Sequence, residues 1–204
     1  MREFQSRTAT GVRGISLTEG DEVISLSILH RVGTTQEEKE DYLRFAPWKS
    51  EKEGEPSLTA ERYAEMADKE QFILTVTANG YGKRSSAYEY RRTNRGGQGI
   101  TNIVMSERNG DVVASFPAKN GEEIILVTDQ AKLIRTTVGD IRVIGRNTQG
   151  VRLFHVADGE HVVAAAKIDE SEDEEGFEEQ RETAPEPGAI VGEDLASGEE
   201  DGAS

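Results

Sequence analysis

The chain repeats itself at a spacing near fifty residues, and that period limits its possible folds more than any other feature. "VTANGYGKRS" at 76–85 aligns with "VTDQAKLIRT" at 127–136, an offset of 51, and at the same offset "RGGQGI" (95–100) meets "RNTQGV" (146–151). The opening "RTATGV" (7–12) matches "RNTQGV" at an offset of 139, as "GDEVIS" (20–25) matches "GEHVVA" (159–164). Read this way, the chain starts inside one unit and runs through two more.

Each unit reads as β. "FILTVTANGYGKRS" is a strand, a turn and a strand, with Asn79-Gly80 suited to the positive φ angles of a tight hairpin. "EEIILVTDQAKLIRTTV" repeats the plan with a less ideal turn at Asp129-Gln130, and "GDVVASFPA" and "EHVVAAAKI" supply further strands. Four short strands in about fifty residues is the spacing of a propeller-type blade. The interval from Gly11 to Gly99 is too long for one unit, and the surplus lies between His30 and Phe72. There "TTQEEKEDYLRFAPW" and "SLTAERYAEMADKEQ" read as helices with hydroxyl N-caps, and Tyr63, Met66 and Ala67 share one helical face turned to the neighbouring blade.

The expectation is an all-β, propeller-like fragment of two to three four-stranded blades, carrying a short helical insertion and a disordered acidic tail. Its parts are the end of one blade at 1–32, the insertion at 33–71, a second blade at 72–122, a third at 123–168 and the tail at 169–204. The tail holds 15 Asp/Glu against one base, Arg181, so −14 of the formal −15 lies there and −1 on residues 1–168. With one aromatic, Phe177, it buries too little apolar surface to offset the entropy of ordering.

Several classes of function are excluded. Without cysteine there is no disulfide framework or thiolate metal site, which fits a reducing cytoplasm. "MREFQSRTATG" lacks the apolar stretch of a signal peptide, and no apolar run approaches the ~20 residues of a membrane helix. His30, His155 and His161 show no metal-ligand spacing, so no metal site is expected. "GYGKRS" fails as a phosphate loop, because Thr77 stands where the first glycine belongs, Arg84 follows the lysine and the context is a hairpin. No catalytic constellation remains.

Charge geometry remains. The insertion carries −5, which leaves the blades at +4. The segment "YGKRSSAYEYRRTNRGGQGI" (81–100) concentrates five cations, Lys83, Arg84, Arg91, Arg92 and Arg95, against one acid, Glu89. Cations also recur at equivalent positions: Arg84 with Arg135, and Arg7 and Arg95 with Arg146. Like charges at like places on successive blades line a track that a DNA duplex would follow through counterion release, positioned but not read. The candidate DNA contacts are those residues together with Arg13, Lys132 and Arg142, and Gly96, Gly97, Gly99 and Gly150 are candidates for close backbone approach. The competing reading is that exposed Arg and Lys protect strand edges and that the glycines permit tight turns.

"NGYGKR", "ERNGDVVAS", "VTDQAKLIRT" and above all "IGRNTQGVRLF" resemble the C-terminal domain of the DNA gyrase A protein, and "TATGVRGISLTEGDEVISL" resembles the segment just upstream. The resemblance covers about 1–30 and 72–168. It implies a β-pinwheel of about six blades whose basic rim wraps double-stranded DNA without sequence preference, so that the intact enzyme introduces negative supercoils. It further implies the gyrase B protein as partner in an A2B2 complex, with ATP and Mg²⁺ on that partner and no cofactor in this chain. The family's catalytic tyrosine belongs to a breakage-reunion domain absent from these 204 residues, so the piece alone is expected to be inactive. The family's heptapeptide, glutamine-arginine-arginine-glycine-glycine-lysine-glycine, is also absent. "NRGGQGI" at 94–100 resembles a degenerate copy in which Gln98 replaces the lysine. The −14 tail, tethered beside a basic rim, competes with DNA at high effective concentration or serves only solubility. The alternatives are the C-terminal domain of the topoisomerase IV A protein and a protein-interaction propeller docking through the insertion.

Overall fold

In the computed structural model, residues 6–52 and 54–168 are described; the tail at 169–204 lies outside them. The elements run α1 (Gln36–Arg44), α2 (Ala60–Asp68), β1 (Phe72–Thr77), β2 (Tyr81–Ser86), β3 (Val112–Ala118), β4 (Glu123–Thr128), β5 (Leu133–Thr137), β6 (Val151–Arg152) and β7 (Val162–Ile168). Two antiparallel sheets result, ordered β3-β1-β2-β6 and β5-β4-β7.

The period is visible in backbone detail. A register shift falls between Val76 and Thr77 in the first sheet and between Val127 and Thr128 in the second. Single 3₁₀ turns follow β2 at Ala87–Glu89 and β5 at Val138–Asp140. In both hairpins the third loop residue is left-handed, Gly80 at φ 74° and Ala131 at φ 60°. The turns differ from the expected two-residue form. Gly80 N–H donates to Thr77 O and Ala131 N–H to Thr128 O, closing three-residue loops in which Asn79 keeps negative φ.

The strand count also differs from the expectation, for a topological reason. The sheet on β1 and β2 gains its fourth strand from the next unit, since β6 pairs Val151 with Gly82 and Arg152 with Tyr81. The sheet on β4 and β5 has three strands among the described residues. Residues 6–32 form no strand among them. β3 and β7 each pair with the first strand of the hairpin in their own unit, whereas among the described residues the 20–25 run pairs with no strand. Val23, Ile24, Leu26 and Ile28 are accordingly exposed.

One core joins the two sheets: Leu74, Val76, Ala118, Ile124, Leu126, Val138, Ile141 and Val162 are buried together. Each large aliphatic side chain among them contributes about 1.5–3 kcal/mol relative to exposure. The helices make a second cluster. Thr35 caps α1 in a capping box with Glu38, and Thr59 caps α2. Tyr42, Ala46, Met66 and Tyr88 are buried here, and Tyr42 meets the Tyr88 ring edge-on at 5.3 Å. Tyr88 donates its hydroxyl to Met66 O at 2.9 Å, fastening α2 to the turn after β2. Glu70 accepts from the Tyr42 hydroxyl (2.8 Å) and Trp48 Nε1 (3.2 Å), while burial pushes its carboxyl above the ordinary value.

Candidate nucleic-acid interface

The basic segment divides into two halves with opposite fates. Every residue of β2 is buried, because β1 and β6 flank it and the 139–146 stretch covers it. Lys83 is fully buried and donates its ammonium to Gly145 O (2.8 Å) and Arg146 O (2.6 Å). Desolvation pushes this ammonium down to about 8, against a partial restoring effect of Glu89. Arg84 donates Nε to Ile141 O (2.6 Å) and Nη2 to Gly139 O (3.2 Å), and its Nη1 meets the Asn120 amide oxygen. Ser85 Oγ donates to Ile144 O at 2.9 Å. Lys83 and Arg84, expected on the rim, are instead donors that satisfy carbonyls of the third unit and fasten it to the second.

The loop at 91–99 faces solvent. Arg91, Arg92 and Arg95 are exposed around a surface hollow of about 510 Å³ that these nine residues form by themselves. Gly96 (φ 76°) and Gly99 (φ 80°) hold left-handed backbone, which an L side chain resists. The loop is anchored to residues 14–16: Gly96 N–H donates to Gly14 O (2.8 Å), Ser16 N–H to Gly97 O (2.9 Å), and Ser16 Oγ to Gly96 O (2.7 Å). Arg13, one residue away from this anchor, is thereby brought beside the loop and is exposed. The Cβ positions of Gly96 and Gly97 meet nothing closer than 3.7 Å, so their outer faces are open to a ligand.

The third unit places its equivalents differently. Gly150 (φ 81°) passes so close to β2 that a Cβ would lie 2.9 Å from Gly82 O. Its close approach is to the protein's own strand, which corrects its assignment to a ligand. Arg146 donates its backbone N–H to the Glu89 carboxylate (2.8 Å) and Nη1 to Thr101 O (2.8 Å). Lys132 is exposed but pairs with Glu160 at 2.6 Å. Lys132, the Thr128 hydroxyl and the Ala157 N–H together hold the Glu160 carboxyl down to about 2. Arg135 is exposed and pairs with Glu123. Arg7 and Arg142 are exposed without an ion pair among the described residues, as are Arg13, Arg91, Arg92 and Arg95.

Two further cations escaped the sequence reading. The guanidinium carbons of Arg108 and Arg152 lie 4.8 and 5.4 Å from the centre of the Tyr81 ring. A signal for the second existed, since Arg152 closes "RNTQGVR" as Arg13 closes "RTATGVR". Among the described residues there is no group of three or more His, Asp or Glu able to hold a metal ion, and no helix long and apolar enough to cross a membrane.

A family model for the DNA gyrase C-terminal domain, a beta-propeller, matches residues 2–30, 71–119 and 122–169, more than half of the chain. The chain belongs to that family. The matched stretches leave out 31–70, where both helices lie. Relatives at the level of sequence include the DNA gyrase A protein of Rickettsia bellii, 47% identical over 199 residues, covering 91% of this chain and 22% of the relative. The DNA gyrase A protein of Granulibacter bethesdensis is 42% identical over 194 residues, covering 84% and 21%. That of Staphylococcus aureus strain MRSA252 is 38% identical over 174 residues, covering 85% and 16%. The chain thus spans about a fifth of the length of these relatives. At 91% coverage the Rickettsia bellii match runs through the helical segment, so that segment is not private to this chain. A solved DNA gyrase A C-terminal domain aligns with 48% of this chain and 33% of its own length at 27% identity and a TM-score of 0.46.

Proposed function

We propose that this chain is a DNA-wrapping segment of a DNA gyrase A protein. It binds duplex DNA without sequence preference, and in the intact enzyme it supports ATP-dependent negative supercoiling in the cytoplasm, with ATP and Mg²⁺ on the partner gyrase B protein. The observation that carries this reading is the 91–99 loop, where Arg91, Arg92 and Arg95 stand exposed, without ion pairs among the described residues, on a glycine backbone pinned by residues 14–16. Unneutralised guanidiniums on an open loop are placed to exchange counterions for phosphates. Close backbone approach at Gly96 and Gly97 suits a bulky polyanion. The curated relatives favour gyrase over topoisomerase IV, being gyrase A proteins at 38–47% identity.

The test is binding of the full chain to a duplex of a few tens of base pairs across ~50 to ~200 mM salt. Wild-type affinity is expected to fall steeply over that range. The triple variant R91E/R92E/R95E should reduce the slope of log affinity against log salt by about 3 while its thermal unfolding stays close to wild type. Salt-independent binding points instead to an apolar docking module, and unchanged binding by the triple variant removes the loop from the interface.

A further inference from the structure

Outside the 91–99 loop, two arginines converge on one phenol at the other end of β2. Arg152 lies directly across the β2–β6 ladder from Tyr81, and Arg108 comes from the turn that precedes β3. Their guanidinium carbons lie 5.4 and 4.8 Å from the ring centre. Arg152 donates Nη2 to the Tyr81 hydroxyl oxygen at 2.8 Å and Nε at 3.3 Å. Tyr81 is buried, so the pair is held on a fixed platform.

Bringing two like charges to one ring opposes itself electrostatically, and the ring face offsets only part of that cost. A carboxylate would be the usual remedy, yet neither arginine has an ion pair among the described residues. The adjoining hollow, about 310 Å³, is lined by two acids, Asp158 and Glu160, and Glu160 is taken by Lys132, Thr128 and Ala157. Asp158 is the remaining acid lining the hollow, which leaves two cations to one acid there. A guanidinium presents five N–H donors in a planar fork, and Arg152 spends two on Tyr81. The remaining donors match the tetrahedral oxygens of a phosphate.

We propose that Arg108 and Arg152, held on Tyr81, form a phosphate-binding fork at the hairpin-turn end of β2, distinct from the 91–99 loop. This rests on the DNA-binding reading for its source of phosphate, the duplex backbone. β2 runs for roughly 17 Å, five strand steps; the fork lies at its Tyr81 end, and the loop follows the 3₁₀ turn beyond its Ser86 end. The fork explains why neither guanidinium is neutralised within the described fold.

The test compares the full wild-type chain with R108Q/R152Q and with R108Q alone, since Arg108 is exposed and its loss leaves the β2–β6 ladder untouched. On duplex DNA the double variant should lower the salt slope by about 2 and the single by about 1, in addition to the loop's contribution. R108K/R152K, which keeps the charge and loses the forks, should retain the slope and bind more weakly. A second arm measures thermal unfolding in sodium phosphate against sodium chloride at matched ionic strength. If wild type ignores DNA but gains Tm in phosphate, and R108Q does not, the fork stands as a site for free phosphate while the DNA reading fails. If wild type binds DNA and the R91E/R92E/R95E variant weakens it, yet R108Q leaves both the slope and the phosphate response unchanged, the fork is overturned and the DNA reading stands. If wild type responds to neither DNA nor phosphate, both are overturned.

Discussion

Arg84 and Arg135 occupy the same position in successive units, 51 residues apart, and the molecule treats them in opposite ways. Arg84 sits on β2, which has a neighbour on either side, and it is 5% exposed with three oxygen partners. Arg135 sits on β5, which pairs only with β4 among the described residues, and its side chain is 59% exposed beside Glu123. The difference between them is coverage. Arg84 is a structural donor because the 139–146 stretch lies across its strand, and among the described residues no such stretch lies across β5, where Arg135 stays at the surface. Position within the repeat therefore does not fix function; the next unit does.

The strongest way to break the comparison is to truncate both. Arg84→Ala leaves carbonyls at Gly139 and Ile141 without their donor in a buried setting, at a cost on the order of 3 kcal/mol. Arg135→Ala removes a partly exposed ion pair with Glu123 and should cost about 1 kcal/mol or less, well below Arg84→Ala. Denaturant unfolding of the two variants reads this directly. Equal effects would mean that coverage by the third unit does not stabilise the second.

The repeat was legible in the sequence because the backbone obeys it. The register shifts, left-handed turn residues and 3₁₀ turns all recur at 51, and the glycines that close the turns, Gly11, Gly99 and Gly150, share one conformation with φ between 77° and 81°. The helices were legible from Thr35 and Thr59 at their starts. The exchange of β6 into the neighbouring sheet was not, because two residues carry it and their pairing spans about seventy positions. That exchange decides the site. Alternation along a strand puts Lys83 and Arg84 on opposite faces, so at least one would be expected outside. Both are inside because both faces of β2 are covered. The loop at 91–99, by contrast, was readable from its own composition, since glycines and arginines without apolar neighbours have nothing to bury.

Lys83 sharpens the comparison through pH, because its counterpart in the third unit is Ile134, which does not titrate. The unfolded chain keeps the lysine proton to about 10.4, while the folded state releases it near 8. Between those values the unfolded state binds more protons, so stability should rise with pH through that window. Below about 8 the ammonium is charged in both states and the desolvation cost is constant. The gain is at most about 3 kcal/mol and should vanish in Lys83→Met, with unfolding followed from about pH 7.5 to 10.5 in both proteins. Parallel profiles would place the ammonium in contact with water.

A further contrast lies in the turn that both units share. Gly80 and Ala131 are equivalent left-handed residues, at φ 74° and 60°. A Cβ on Gly80 would also lie 2.8 Å from Phe154 O, backbone that belongs to the covering third unit. Gly80→Ala therefore meets both conformational strain and a clash, and should cost about 2 kcal/mol or more. Ala131 already bears the strain but is exposed. Ala131→Gly should relieve it and stabilise by up to about 1 kcal/mol, less the entropy that glycine adds to the unfolded chain. Opposite signs for the two substitutions, read as Tm shifts, are the expected outcome. A destabilising Ala131→Gly would mean that the alanine methyl makes contacts that outweigh its backbone strain, and the two turns would then be alike in geometry but not in what holds them.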